Sequence, residues 1–252
     1  MIVFFDIPCK VAGRAWSPNT WRVRYALNYK RIPYRTEWVE FPDIEPLAKA
    51  KRIPATAIQK DGTALYTLPA IFDPYTQRYV SDSALIVTYL DSAYPDTPKV
   101  FPPGTRALQA AFQSAFVPKI MPLSTVIVPY VTDNLNEKSR PFFQSDREKK
   151  FGKTMEELKT NLEERQMNWE KFKDGMGRID KWLSKNDEEG LYKSDFIMGD
   201  QPVFADFVIG GLLAWIRNVW GEDSAEWNEM KRWHDGRWLR LVDQLRKYET
   251  VH

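Results

Sequence analysis

Ser17-Pro18-Asn19-Thr20 combines residue types that suit both the start of a helix and the holding of an anion. Serine favours the N-cap, and proline favours the first helical position, where its missing N–H would be unpaired in any case. A helix opening there aims the Ser17 hydroxyl and the free N–H groups of Asn19 and Thr20 at the positive end of its dipole. A thiolate would be stabilised at that point. The same string also fits an ordinary capped helix. Leu68-Pro69, immediately before an apolar run, is a second candidate. By frequency it is a trans proline at a strand start. A cis bond would instead turn the Leu68 N–H and C=O toward a peptide-like ligand. Asp82-Ser83 is a third: it places a carboxylate, a hydroxyl and backbone N–H groups at one helix start, fit to hold an ammonium and a carboxylate or simply to cap.

The elements that must position these residues follow from periodicity. A continuous apolar run over 2–5 reads as a strand buried on both faces. A helical stripe over 19–30 uses Trp21, Val23, Tyr25, Ala26, Leu27 and Tyr29, with Arg22 and Arg24 outside it. A second strand over 34–39 completes a right-handed βαβ unit. A proline-rich irregular stretch over 41–67 contains a short helix over 46–50. Strands over 70–73 and 78–80 form a hairpin, and the next helix turns Leu85, Ile86, Tyr89 and Leu90 inward. Four prolines and a glycine between Pro95 and Gly104 mark a boundary. Beyond it the chain reads as helices over 106–116, 146–183, 206–220 and 226–248, with Pro118, Pro122 and Pro129 interrupting or kinking the first. The charged stretch 147–173 reads as a solvated helix face.

Counting excludes much chemistry. Cys9 is the single cysteine, so no intrachain disulfide or cysteine-cluster zinc site is available, and Cys9 itself reads as a small buried residue. Two histidines, His234 and His252, argue against a His-based triad or a multi-His metal centre. Lys and Arg total 36 against 34 Asp and Glu, a net charge of +2, which gives no reason to expect a nucleic-acid or anionic-membrane partner. The apolar run 207–216 is too short to span a bilayer and contains two glycines, and the start Met-Ile-Val-Phe-Phe-Asp lacks a basic leader.

Ser-Pro-Asn-Thr, Leu-Pro and Asp-Ser, in that order and spacing, resemble the thioredoxin-like half of glutathione transferases. Ser17 stands where the thioredoxin-type Cys-Pro-x-x site has its cysteine. Leu68-Pro69 is similar to the cis-proline element that pairs with the cysteinyl backbone of glutathione, and Asp82-Ser83 to the pair that binds its γ-glutamyl end. Downstream, Gly199-Asp200-Gln201-Pro202-Val203-Phe204-Ala205-Asp206 resembles the helix-start motif of the all-helical half. Val203 departs from it by replacing the usual Ser or Thr cap, so Asp206 must find other partners. The resemblance covers the chain and points to the fungal-specific class A, related to bacterial β-etherases. It implies an α/β thioredoxin-like N-terminal domain over 1–95, a linker over 96–104, and an all-α C-terminal domain over 105–252. It also implies glutathione as co-substrate, no metal, a cytoplasmic homodimer, and wood-derived aromatic ligands.

In that frame Ser17 donates a hydrogen bond to the glutathione sulfur, with the Asn19 amide, the Thr20 hydroxyl or a backbone N–H as rivals. Thr20, Leu68, Pro69, Asp82 and Ser83 form the glutathione site. A hydrophobic ligand pocket between the halves is expected from Trp16, Trp21, Phe112, Phe116, Ile120 and Met121, with Trp215 and Trp220 as further candidates. Aromatic walls suit flat phenolic ligands. Serine in place of cysteine argues against disulfide reduction, and the absence of a His or Lys base argues against a serine hydrolase. Three functions stay open: a transferase acting on aromatic electrophiles or aryl ethers, a ligandin that sequesters aromatic compounds with little turnover, and a regulatory or scaffold protein.

Overall fold

A computed structural model of the chain describes residues 1–187 and 195–252. The first half runs β1 (Ile2–Asp6), α1 (Pro18–Tyr29), β2 (Tyr34–Trp38), α2 (Ile44–Lys51), β3 (Ala57–Ile58), β4 (Ala64–Leu65), β5 (Ala70–Asp73), β6 (Arg78–Ser81) and α3 (Ser83–Ala93). Four strands form one sheet in the order β2-β1-β5-β6. β1 pairs parallel to β2, and the other neighbours are antiparallel, with Phe4 opposite Ile71. Side chains alternate across β1 as its period demands. Ile2 and Phe4 pack with Val23 and Leu27 of α1 and with Ile86 and Leu90 of α3. Val3 and Phe5 join the cluster that contains Ile44 and Ala48 of α2. This is the expected thioredoxin-like half, with a small β3-β4 hairpin inside the stretch read as irregular.

The second half is all helical: α4 (Arg106–Ile120), α5 (Leu123–Asn134), α6 (Arg140–Phe151), α7 (Met155–Thr160), α8 (Leu162–Asp187), α9 (Phe204–Trp220), α10 (Ala225–Met230) and α11 (Arg237–Leu245). The single helix expected over 146–183 is three. Gly152 ends α6 in the left-handed region, Thr154 and Glu157 form a capping box for α7, and Asn161 separates α7 from α8. The helix expected over 226–248 is likewise interrupted, where His234 and Asp235 take positive φ. Pro118 and Pro129 lie inside α4 and α5, while the chain bends by 79° between those helices. Among the described residues no single helix is long and apolar enough to cross a membrane; α4 and α5 pass on length and composition only as that bent pair.

Two local expectations fail for identifiable reasons. Arg24 is fully buried, because α1 is covered on one side by the sheet and on another by α9. Its guanidinium meets Asp6 at 2.6 Å and donates to the Tyr34 hydroxyl and Thr36 Oγ1 at 3.2 Å each. Leu85, in the first turn of α3, is exposed, whereas Ile86, Val87 and Leu90 face inward.

α1 is held from several directions. Tyr25 stacks on Phe207 of α9 with centroids 5.7 Å apart. The segment after α11 returns to α1, where Asn28 Nδ2 donates to Tyr248 O at 2.7 Å and the Tyr25 hydroxyl to Glu249 at 2.8 Å. Asp206 is fully buried at the start of α9, and its carboxylate accepts from the N–H groups of Val203 and Ile197 at 2.8 Å each. The cap hydroxyl that Val203 lacks is made good from α4, where Gln109 Oε1 accepts the Ala205 N–H at 3.0 Å.

Candidate functional site

Ser17 occupies the N-cap of α1, with Pro18 next. Its carbonyl accepts the Trp21 N–H at 3.0 Å and the Thr20 hydroxyl at 3.1 Å, but its own hydroxyl caps nothing. Thr20 is fully buried and its hydroxyl is committed to that bond, so within this turn the side chains left free are those of Ser17, which is buried, and Asn19, which is exposed.

The turn is fixed to the helical half. A Cβ on Gly211 of α9 would overlap the Pro18 carbonyl oxygen, so only glycine permits this approach. About two turns along, Asn218 Nδ2 donates to Ala15 O at 3.0 Å. Cys9, in the preceding loop, is buried with Sγ 3.5 Å from the Arg14 carbonyl. Burial pushes its thiol up to about 12, so it is not a thiolate at neutral pH.

The Leu68–Pro69 bond is cis, against the frequency argument and in line with the resemblance. Both residues are buried just before β5. Asp82 caps α3 at φ 72°, in the region that favours glycine, and Oδ1 accepts from Ala84 N at 2.9 Å and Leu85 N at 3.0 Å. No described group takes its other carboxylate oxygen, and Ser83 beside it is buried.

Arg22, absent from the sequence-based candidates, belongs with this group. Its side chain lies over Gly211, its charge faces Asp82, and among the described residues it has no ion-pair partner. Burial lowers its pKa to about 10, and its Nε has no acceptor. Gly210-Gly211 inside an apolar helix was the readable signal of a close approach. Arg22 alone carried none.

The expected aromatic pocket residues do not line the concavity described below. Trp16 is buried edge-on against Phe143, with centroids 6.2 Å apart, and Trp21 is buried 5.2 Å from Tyr25. Phe116 is fully buried, and Phe112 stacks on it and meets Trp182 of α8 at 6.0 Å. Ile120 is half-buried and Met121 exposed. A concavity of about 410 Å³ lies elsewhere, lined by Val126, Leu162, Trp169 and Ala225 among others. Among the described residues no cluster of three or more His, Cys, Asp or Glu could hold a metal.

The family description "Glutathione S-transferase, N-terminal domain" matches residues 16–93, and "Glutathione S-transferase, C-terminal domain" matches residues 107–248. The glutathione S-transferase-like protein ustS of Aspergillus flavus is 31% identical, with 92% of this chain and 91% of that protein covered. A glutathione S-transferase of Ceriporiopsis subvermispora, solved in complex with glutathione, shares 43% identity at TM-score 0.94, over 100% of this chain and 98% of that one. Glutathione transferase GSTFuA3 from Phanerochaete chrysosporium shares 41% at TM-score 0.93, over 100% and 98%. The β-etherase LigF from Sphingobium, at 12% identity and TM-score 0.59 over 97% and 94%, shares the fold alone. With both family descriptions spanning nearly the whole length, and the Ser17, Leu68-Pro69 and Asp82-Ser83 motifs lying at the helix and strand starts described above, this chain belongs to the glutathione S-transferase family.

Proposed function

We propose that the chain binds glutathione with its sulfur over the first turn of α1 and transfers it to aromatic electrophiles. The observation that carries the reading is the Ser17 hydroxyl, buried at the N-cap yet not used to cap the helix. A cysteinyl thiol has a pKa of about 8.5, so only a few per cent is thiolate at neutral pH. Lowering it by about two units needs ~2.7 kcal/mol of preference for the thiolate. One charge-assisted hydrogen bond plus a helix N-terminus is of that size.

In this reading Ser17 donates to the sulfur, with the exposed Asn19 amide as the alternative donor. Thr20 contributes its backbone N–H, its hydroxyl being committed to Ser17. The Leu68 main chain pairs with the cysteinyl unit. The uncommitted Asp82 oxygen takes the γ-glutamyl ammonium beside Ser83, and Arg22 supplies the cation for the adjoining carboxylate. The thiol proton leaves to water, the sulfur–carbon bond forms, and the leaving group departs with its electron pair. The Ceriporiopsis relative crystallised with glutathione supports the co-substrate.

The test is Ser17→Ala assayed with chlorodinitrobenzene. Loss of the donor is expected to lower kcat/KM about tenfold, the worth of one hydrogen bond to a charged group. Full activity would remove Ser17 as the activator and leave Asn19, tested by Asn19→Ala. Retention on immobilised glutathione with tight phenolic binding and no turnover would favour sequestration over transfer.

A further inference from the structure

Between α10 and α11 three consecutive residues, His234, Asp235 and Gly236, take positive φ of 51°, 53° and 76°. Only glycine adopts that region freely, so His234 and Asp235 must be held there by contacts. His234 supplies one of them. Its Nδ1 accepts the indole N–H of Trp238, four residues on in the first turn of α11, at 2.8 Å. Trp238 is fully buried, and among the described residues its N–H has no other acceptor. Behind the imidazole is α8, where a Cβ on Gly177 would lie 3.1 Å from Nε2, so the ring cannot withdraw in that direction.

An acceptor at Nδ1 requires the neutral ring, because both nitrogens of an imidazolium carry hydrogens. The half-buried His234 can take a proton from solvent, whereas Trp238 cannot turn its N–H to water. Protonation therefore sets two donors against each other at a contact that holds the strained turn. The charged groups facing the ring are Lys173 and Asp180 of α8, Arg237 of α11 and Asp235 of the turn itself. Asp180 favours the cation, but its carboxylate is already paired with Arg237 at 2.7 Å. Burial is the larger influence and holds the His234 pKa below the ordinary 6.5. With the folded value lowered, the contact is fully present above 6.5 and is lost as pH falls below it.

We propose that the His234–Trp238 hydrogen bond is an acid-sensitive latch: a proton taken from solvent at His234 Nδ1 breaks it and frees the 234–236 turn and the first turn of α11. α11 runs into the segment that holds α1 through Tyr248 and Glu249, so the latch acts on an element tied to the helix of Ser17. The device does not depend on where glutathione binds.

Hydrogen exchange of the full chain at pH 5 and pH 7, corrected for intrinsic rates, reads the turn directly. The key variant is His234→Asn, which keeps an acceptor oxygen and tolerates positive φ but cannot take a proton. In wild type the protection of residues 234–240, relative to that of α9, is expected to fall about 3- to 10-fold at pH 5, the worth of one neutral hydrogen bond. In His234→Asn it is expected to stay within about twofold. Unchanged protection in wild type, or an equal fall in the variant, would overturn the proposal. Trp238→Phe supplies a check that does not need asparagine to fit. The chain has two histidines, so proton NMR of the imidazole C2 hydrogens gives two titration curves, and the one that survives His252→Gln belongs to His234. Removing the indole donor is expected to move the His234 midpoint up. A midpoint that Trp238→Phe leaves unmoved would equally overturn the latch.

Discussion

Gly211 of α9 lies so close beneath Pro18 of α1 that a methyl group in its place would overlap the Pro18 carbonyl oxygen. The obstacle is backbone, so it cannot swing aside as a flexible side chain would. Gly210 is a built-in contrast, since a Cβ there meets Leu245 Cδ1 at 2.5 Å, the far end of a side chain. Gly211→Ala is expected to cost about 1–3 kcal/mol by overpacking, offset in part by about 1 kcal/mol of helix propensity, and to lower kcat/KM by moving the Ser17 turn. Gly210→Ala is expected to be milder in both. Denaturant midpoints and kcat/KM for the two variants check this.

Which parts were legible from sequence follows from how local each signal is. Ser17-Pro18 and Asp82-Ser83 are cap signals confined to adjacent residues, and both fall at helix starts. Leu68-Pro69 was ambiguous alone, because frequency favours trans, and only its order among the other motifs pointed to the cis bond found. Gly152 and Thr154-x-x-Glu157 were readable as a stop and a start, but the charge pattern across them imitates one long amphipathic helix. Arg24 was misplaced because a stripe argument sorts charges outward, and its buried partner Asp6 lies in another element. The α4 aromatics Phe112 and Phe116 were legible as apolar, but their contact with each other and that of Phe112 with Trp182 of α8 were not, because the partner helix is distant in sequence.

The Arg24–Asp6 pair gives a second expectation. Both side chains are fully buried with 2.6 Å between the charged atoms. Arg24→Met is expected to destabilise by about 3–5 kcal/mol because it strands the Asp6 charge. The double variant Arg24→Met, Asp6→Leu should recover much of that loss. A double-mutant cycle from denaturant unfolding measures the coupling, and additive losses would show that the pair is not coupled.

Asp206 gives a pH dependence with a defined sign. Burial pushes its carboxyl from 3.8 up to about 7, despite the backbone N–H bonds that lower it. The raised folded pKa means that its stabilising contribution is full below about 3.8 and falls as pH rises toward about 7, where the folded protein also ionises. The slope contributed is at most ~1.4 kcal/mol per pH unit. Asp206→Asn, which cannot ionise, should remove that decline. Denaturant midpoints of wild type and variant between pH 4 and 7 test it, and parallel curves would contradict it.

The central claim is that glutathione sulfur is ionised at the start of α1 beside Ser17. Ultraviolet difference titration of glutathione bound to wild-type protein follows thiolate formation directly. The account predicts a bound thiol pKa about two units below the free value of about 8.5, moving back up by at least about one unit in Ser17→Ala. A bound thiol that titrates as it does in free glutathione would contradict it.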